Sequence, residues 1–245
     1  SLALVTLSSE GQPSYRLYRE GIADKDTSFD EIVGNLPDKL RVFHTGSLAI
    51  TPSQLPKIRQ VFALMRERGV LVSIDINIRI RASLDRDKYI AGVRSLLGEA
   101  DIVKASDEDL LALGLSEDTR ETAEIVYRDM KGGVLVLTEG DGGALAYSKH
   151  GLVRQECYHI KDVADTVGAG DTFHSAFLAY LSRSGDLSAS AADIPVDSLR
   201  KALDYACAAA AINVSRAGCS PPTEEEVHEF MATCPHSGSV GGVRE

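Results

Sequence analysis

No apolar run in the 245-residue sequence approaches the ~18 residues that a membrane span requires, and its opening residues do not read as a charged-then-apolar leader. There is no G-x-x-x-x-G-K-[ST] run, which argues against a P-loop, and no opening G-x-G-x-x-G after a first strand, which argues against a dinucleotide fold. Cys157, Cys207, Cys219 and Cys234 show no C-x-x-C spacing, so they read as reduced thiols rather than a zinc site or disulfide scaffold. Positive charge is in deficit: 26 Lys and Arg against 36 Asp and Glu leave a net −10. A generic nucleic-acid or anionic-membrane partner is therefore not expected, and phosphate recognition must be local, through loops and helix ends. The expected compartment is the cytoplasm.

The 44% hydrophobic content is that of a globular protein, and the length suits one large domain. Residues 2–8 and 14–19 read as a strand hairpin. Short apolar runs at Val42–His44, 70–75, Ile102–Val103 and 134–138 alternate with helical patterns near 28–35, 53–68, 87–98, 107–113 and 119–131. That alternation predicts an α/β fold, a mostly parallel sheet with helices on both faces. Two further strands, 143–147 and 152–156, precede a glycine-rich turn, and helices follow from about 171 and over about 197–214. The tail after about 232 reads as poorly ordered.

The densest chemistry lies in Asp165-Thr166-Val167-Gly168-Ala169-Gly170-Asp171, followed at once by the apolar helix Thr172–Leu181. Glycines let a ligand approach the main chain, and the first amides of a helix have no internal partners. Such an end attracts anions, and a carboxylate beside it can take a proton from a hydroxyl. The same four residues Gly-Ala-Gly-Asp also suit an ordinary loop with a favourable early-helix charge.

The seven residues with the helix behind them resemble the C-terminal signature of ribokinase-like (PfkB) carbohydrate kinases. The resemblance implies an ATP-dependent phosphotransferase of ribokinase-like fold with a small β lid. It implies Asp171 as the base and Gly168, Ala169 and Gly170 as the anion hole. Asp75-x-Asn77-x-Arg79 resembles a segment of fructokinases and 2-keto-3-deoxygluconate kinases, with Asn77 and Arg79 toward substrate; continued extension would turn Asp75, Asn77 and Arg79 to one side. Ala82 and Ser83 stand where that segment often carries an aromatic residue.

Lys104-x-Ser106-x-x-Asp109 resembles the K-x-N-x-x-E segment that orders magnesium, which gives Asp109 an indirect metal role; Ser106 is equally a helix cap. Thr138-x-Gly140-x-x-Gly143 resembles the nucleotide loop, and reads as well as a glycine-rich β-turn. Asn213 is assigned to the adenine side or to a polar helix end, and Tyr18-Arg19 to substrate across the lid or to an exposed strand. His174, one turn after Asp171, reads as packed or solvated rather than as a second base.

ATP and Mg²⁺ are the implied cofactors, with a monovalent cation left open, and a homodimer is implied through the lid. The substrate is a sugar or sugar acid, of fructose or 2-keto-3-deoxygluconate type. Residues 1–245 read as a single domain, with 1–20 in the lid and 233–245 as a flexible tail. Members of the family usually carry a further early strand and a Gly-Gly/Asn sugar segment, for which no equivalent is seen here, so an N-terminal portion is expected to be missing. Two other readings stay open: a nucleoside or other small-molecule kinase of the same fold, and a non-catalytic sugar or nucleotide sensor.

Overall fold

A computed structural model describes residues 2–7, 13–18, 21–83, 85–130, 132–187 and 190–234. Its strands are β1 (Leu2–Leu7), β2 (Pro13–Tyr18), β3 (Val42–Gly46), β4 (Leu71–Asp75), β5 (Ile102–Ser106), β6 (Val134–Thr138), β7 (Ala144–Ser148) and β8 (Gly151–Gln155). Its helices are α1 (Ala23–Asp26), α2 (Phe29–Gly34), α3 (Leu55–Glu67), α4 (Arg86–Leu97), α5 (Asp107–Leu113), α6 (Thr119–Asp129), α7 (Ala169–Ser184), α8 (Val196–Val214) and α9 (Glu224–Thr233). The tail beyond Cys234 and the hairpin turn at 8–12 lie outside the described residues. No described helix is long and apolar enough to cross a membrane.

β1 and β2 form a separate antiparallel pair, and the other strands form one sheet in the order β3-β4-β5-β6-β7-β8. β3 through β6 are parallel, while β7 and β8 add antiparallel strands at one edge. Parallel neighbours need crossover connections, which α3 to α6 supply on one face, while α7 and α8, after β8, cover the other. On β6, Val134 and Val136 join the core beneath α7 and α8, while Leu135 and Leu137 join the core beneath α3 to α6. The period-2 alternation of a strand divides the two cores in this way.

The same alternation places a polar stripe. Leu71 and Ile102 enter the α7–α8 core at the start of β4 and β5. Farther along the same faces stand Ser73 and Asp75 on β4 and Lys104 on β5, all buried. His44 of β3 pairs in register with Ser73, and Asp75 with Lys104. Apolar side chains thus fill the lower half of this face, and polar ones its carboxyl end. In open α/β sheets that end is where ligands bind.

α9 was not foreseen from the sequence, although Thr223 and Glu226 form a reciprocal capping box at its start. Arg216 clamps Glu226 at 2.5 Å and so ties α9 back to the end of α8.

Candidate active site

The glycine-rich turn is built from outside itself. Asp165 accepts from the Val167 N–H at 2.9 Å and from the Gly218 N–H at 3.1 Å. Asn213, fully buried on α8, donates to the Val167 carbonyl at 2.9 Å and accepts from the Ser220 N–H at 3.0 Å. These two side chains clamp residues 165–167 against residues 218–220. Gly168 then turns the chain with φ 77°, in the left-handed region that favours glycine, and α7 begins.

The start of α7 narrows the expected anion hole. The Ala169 N–H closes a turn on the Thr166 carbonyl at 3.2 Å, so it is already engaged. Thr172 N–H returns to the Gly168 carbonyl at 2.8 Å, as the first regular helical bond. Between them, the Gly170 and Asp171 N–H groups meet no protein acceptor among the described residues, and neither does that of Gly168. The first four amides of a helix have no partner within it, so three stand free here beside the engaged Ala169, and the dipole adds positive potential there. The Asp171 side chain is exposed and has neither a hydrogen bond nor an ion pair among the described residues. A free carboxylate stands next to free amides.

Below this turn lies the polar stripe. Lys104 donates to both Asp75 carboxylate oxygens at 3.2 Å. Burial pushes the Asp75 carboxyl up to about 6, against the pull of Lys104 and with added repulsion from Asp109 and Asp171. Ser73 Oγ stands 2.7 Å from His174 Nε2 and 3.2 Å from His44 Nδ1. His174 Nδ1 is buried without a partner among the described residues. The tautomer that avoids an orphaned N–H puts the proton on Nε2, so Ser73 accepts from His174 and donates to His44. The two imidazoles pack at 4.8 Å between centroids. Burial, then the His44 and Lys104 charges, hold His174 well below its ordinary value.

That burial has a pH consequence. As pH falls through about 6.5, the unfolded chain takes up a proton that folded His174 refuses, so His174 costs stability at acid pH. Asp75 acts oppositely between 3.8 and about 6, because its folded value is raised. Comparison with His174→Leu isolates the histidine: the wild type is expected to lose stability relative to the variant by up to about 1.4 kcal/mol per pH unit. Urea midpoints at pH 7.5 and 5.5 check this, and a pH-independent difference would contradict it.

The other foreseen residues arrive at the same sheet end by different routes. β4 stops at Asp75, and Asn77 adopts φ 37°. The expected extension is broken there, so Asp75, Asn77 and Arg79 do not share a face by strand alternation. Asp75 is drawn inward to Lys104, whereas Arg79 is exposed, its guanidinium on the Ile78 carbonyl at 3.2 Å. Asp109 completes a capping box with Ser106 and also accepts from the Ile78 N–H at 2.7 Å. One carboxylate therefore joins the start of α5 to the loop after β4.

Thr138 closes β6 opposite Ser106, with its hydroxyl 3.4 Å from the Ala105 carbonyl. Gly140 has φ 56° and Gly143 φ 92°, and a Cβ on Gly143 would stand 2.1 Å from the Gln155 carbonyl oxygen. Gly143 is thus required by the close approach of β8 whatever the loop binds. Asn213 departs most from expectation: both ends of its amide are spent on Val167 and Ser220 inside the protein, so it shapes the turn instead of facing a ligand. Asn213→Leu would orphan both groups and is expected to cost on the order of 2–4 kcal/mol. A urea midpoint shift equivalent to under about 0.5 kcal/mol, the usual range for surface changes, would refute this. Tyr18 is exposed on β2, which packs near the turn Ile80–Ala82 just after Arg79; Arg19 lies outside the described residues.

Residues 1–226 match the model of the pfkB family carbohydrate kinase. The chain belongs to the pfkB family of carbohydrate kinases. It is 30% identical over 235 residues to probable fructokinase-5 of Arabidopsis thaliana, covering 94% of this chain and 70% of that protein. It is 33% identical over 238 residues to the chloroplastic probable fructokinase-6 of the same plant, covering 94% of this chain and 60% of that protein.

Among solved structures, the fold is similar to fructokinase from Xylella fastidiosa with bound ATP, at TM-score 0.81 and 24% identity over 94% of this chain and 73% of that one. It is also similar to fructokinase from Vibrio cholerae O395 bound to fructose, ADP and calcium, at TM-score 0.78 and 23% identity over 94% and 73% of the two chains. Members of this family are phosphotransferases that act on a sugar hydroxyl, and the pfkB chain described here carries the ribokinase-like fold.

Proposed function

We propose that this pfkB-family chain transfers the γ-phosphoryl group of ATP to a primary hydroxyl of fructose. The single observation that carries the reading is the exposed, unpartnered Asp171 carboxylate beside the free Gly170 and Asp171 N–H groups at the start of α7. Asp171 takes the hydroxyl proton as the sugar oxygen attacks the γ-phosphorus in line. The free amides and the helix dipole receive charge that develops on the transferring oxygens. The plant fructokinases named above and the fructose bound in the Vibrio protein support fructose as the acceptor.

The remaining residues take supporting roles. The Thr138–Gly143 loop lies along the nucleotide, and Arg79 offers a planar fork to substrate or phosphate. Tyr18 reaches substrate from the β1–β2 lid, with Arg19 next to it in sequence as a further contact, and the exposed Leu4 and Tyr18 support pairing with a second copy as a homodimer. Among the described residues no group of three or more His, Cys, Asp or Glu could hold a metal ion. A hard cation that keeps its waters and rides on the substrate phosphates fits such a site, with Asp109 reaching it through water. Mg²⁺ bound in this way neutralises phosphate charge. A cytoplasmic location belongs to the same reading.

The test is ADP release from ATP and Mg²⁺ against fructose, 2-keto-3-deoxygluconate, ribose and a nucleoside. The expected result is the highest kcat/KM with fructose. Faster turnover on the sugar acid or the nucleoside would replace the substrate assignment while keeping the phosphotransferase.

A further inference from the structure

Lys104 is a cation where a strand would ordinarily bury an apolar side chain. It is 4% exposed, as is its partner Asp75. A buried ion pair contributes little net stability compared with apolar residues of the same size, because desolvation offsets the attraction. The position of the ammonium suggests a different use. A Cβ placed on Gly170 would stand 3.1 Å from Lys104 Nζ, so the ammonium lies directly against the first turn of α7. Two of its three N–H groups go to the two Asp75 oxygens, which fixes it at that spot.

Asp75 belongs to β4 and Lys104 to β5, and the two are paired in register. The cation is therefore referenced to the rigid centre of the sheet and not to a loop. The groups around the pair are Asp109, Asp171, His44 and His174, all within electrostatic reach of one member or the other. Two of these four are acids and two are histidines, and Lys104 is the lysine whose charge reaches Asp75, His44 and His174.

We propose that Lys104, fixed by Asp75, is a positioning residue that seats the Gly170–Asp171 turn on the sheet and keeps positive charge behind its free amides. The inference rests on the reading of Asp171 and those amides given above. Gly170 fits this role because it has no side chain to hold the ammonium off. The bidentate contact to Asp75 keeps the amine from swinging out to solvent when an anion arrives. Both features make the arrangement preorganised, so its benefit appears when charge develops on the transferring group and not in the resting complex.

The experiment separates positioning from mere structural support. Lys104→Met and Asp75→Asn each strand one buried partner and are expected to lower the urea midpoint. The double variant Asp75→Asn/Lys104→Met removes both charges, so its midpoint is expected to return to near the wild-type value. Its kcat with ATP and fructose is nonetheless expected to stay about 10–100-fold low, with KM for ATP little changed. Asp171→Asn is measured alongside. If Asp171→Asn is inactive and the refolded-stable double variant turns over at the wild-type rate, Lys104 is structural and the inference is overturned alone. If the double variant does not regain stability, rescue is read from Lys104→Arg, which retains the charge: a kcat no better than that of Lys104→Met overturns the inference as well. If Asp171→Asn turns over normally, the reading of the site falls, and this inference with it.

Discussion

Asp171→Asn is expected to lower kcat by about 10²–10⁴-fold, the range for loss of a positioned general base. Asparagine keeps the shape and the polar oxygen but cannot accept the hydroxyl proton. The variant should fold as well as the wild type, because Asp171 is exposed and has no hydrogen bond or ion pair among the described residues to lose. Substitutions at such positions usually change stability by less than about 0.5 kcal/mol. ATP affinity should change little or rise slightly, since a negative charge leaves the neighbourhood of the phosphates. The combination matters: lost turnover with intact folding and nucleotide binding assigns proton abstraction. A variant with near-normal kcat would show that another group, or the phosphate itself, takes the proton.

Gly168→Ala is expected to be nearly as damaging, for reasons of shape. Gly168 has φ 77°, and an added Cβ would stand 2.2 Å from Cys219 Sγ and 3.0 Å from its Cβ. The left-handed conformation alone costs an L-residue about 1–2 kcal/mol. Relief must come from moving Cys219 or from rotating the turn, and the turn carries the free amides. Loss of one aligned donor at such a site typically lowers kcat by about 10²–10³-fold. Cys219→Gly in the same chain removes the close contacts and leaves the nearest remaining one, to Cys219 Cα, at 3.6 Å. The double variant should recover much of the lost kcat while retaining the strain cost in stability. Wild-type turnover in Gly168→Ala alone would mean that the amides of this turn do not receive charge.

The parts of the site that could be read in advance are those written locally in the chain. The run from Asp165 to Asp171 and the helix behind it are contiguous, so glycine conformational freedom, unpaired helix-end amides and the resemblance to the ribokinase-like signature could all be read from one segment. The continuous apolar stretch Val134–Leu137 could be placed as a strand covered on both faces, and the structure buries all four residues. Ser106 announced a helix cap and became one, with Asp109 as its reciprocal partner.

What escaped depends on distance along the chain. Lys104 and Asp75 are 29 residues apart and meet only through the β4–β5 register. Asn213 lies 46 residues from Val167, and nothing near it in sequence announces that its amide is consumed there. The same holds for Asp165, whose link to Gly218 spans 53 residues. A shared side for Asp75, Asn77 and Arg79 depended on continued extension, yet asparagine is among the few side chains that tolerate positive φ, and Asn77 ends the alternation. α9 is a different case, because Thr223 followed by Glu226 is a capping signal written locally in the sequence.

The stripe of polar residues on β3, β4 and β5 gives this end of the sheet its character. His44, Ser73 and Lys104 follow Val42, Leu71 and Ile102 on the same faces, and Asp75 extends the polar run beyond Ser73. Each is bonded to another member or to His174. A polar network that is nearly fully satisfied is rigid, and α7 sits on it with Asp171 at its tip.

The most direct measurement follows product. The protein is incubated with ATP, Mg²⁺ and fructose, and sugar phosphate and ADP are quantified together. One ADP for each fructose phosphate, abolished by Asp171→Asn, is the expected result. ATP binding with no fructose-dependent ADP would contradict the account.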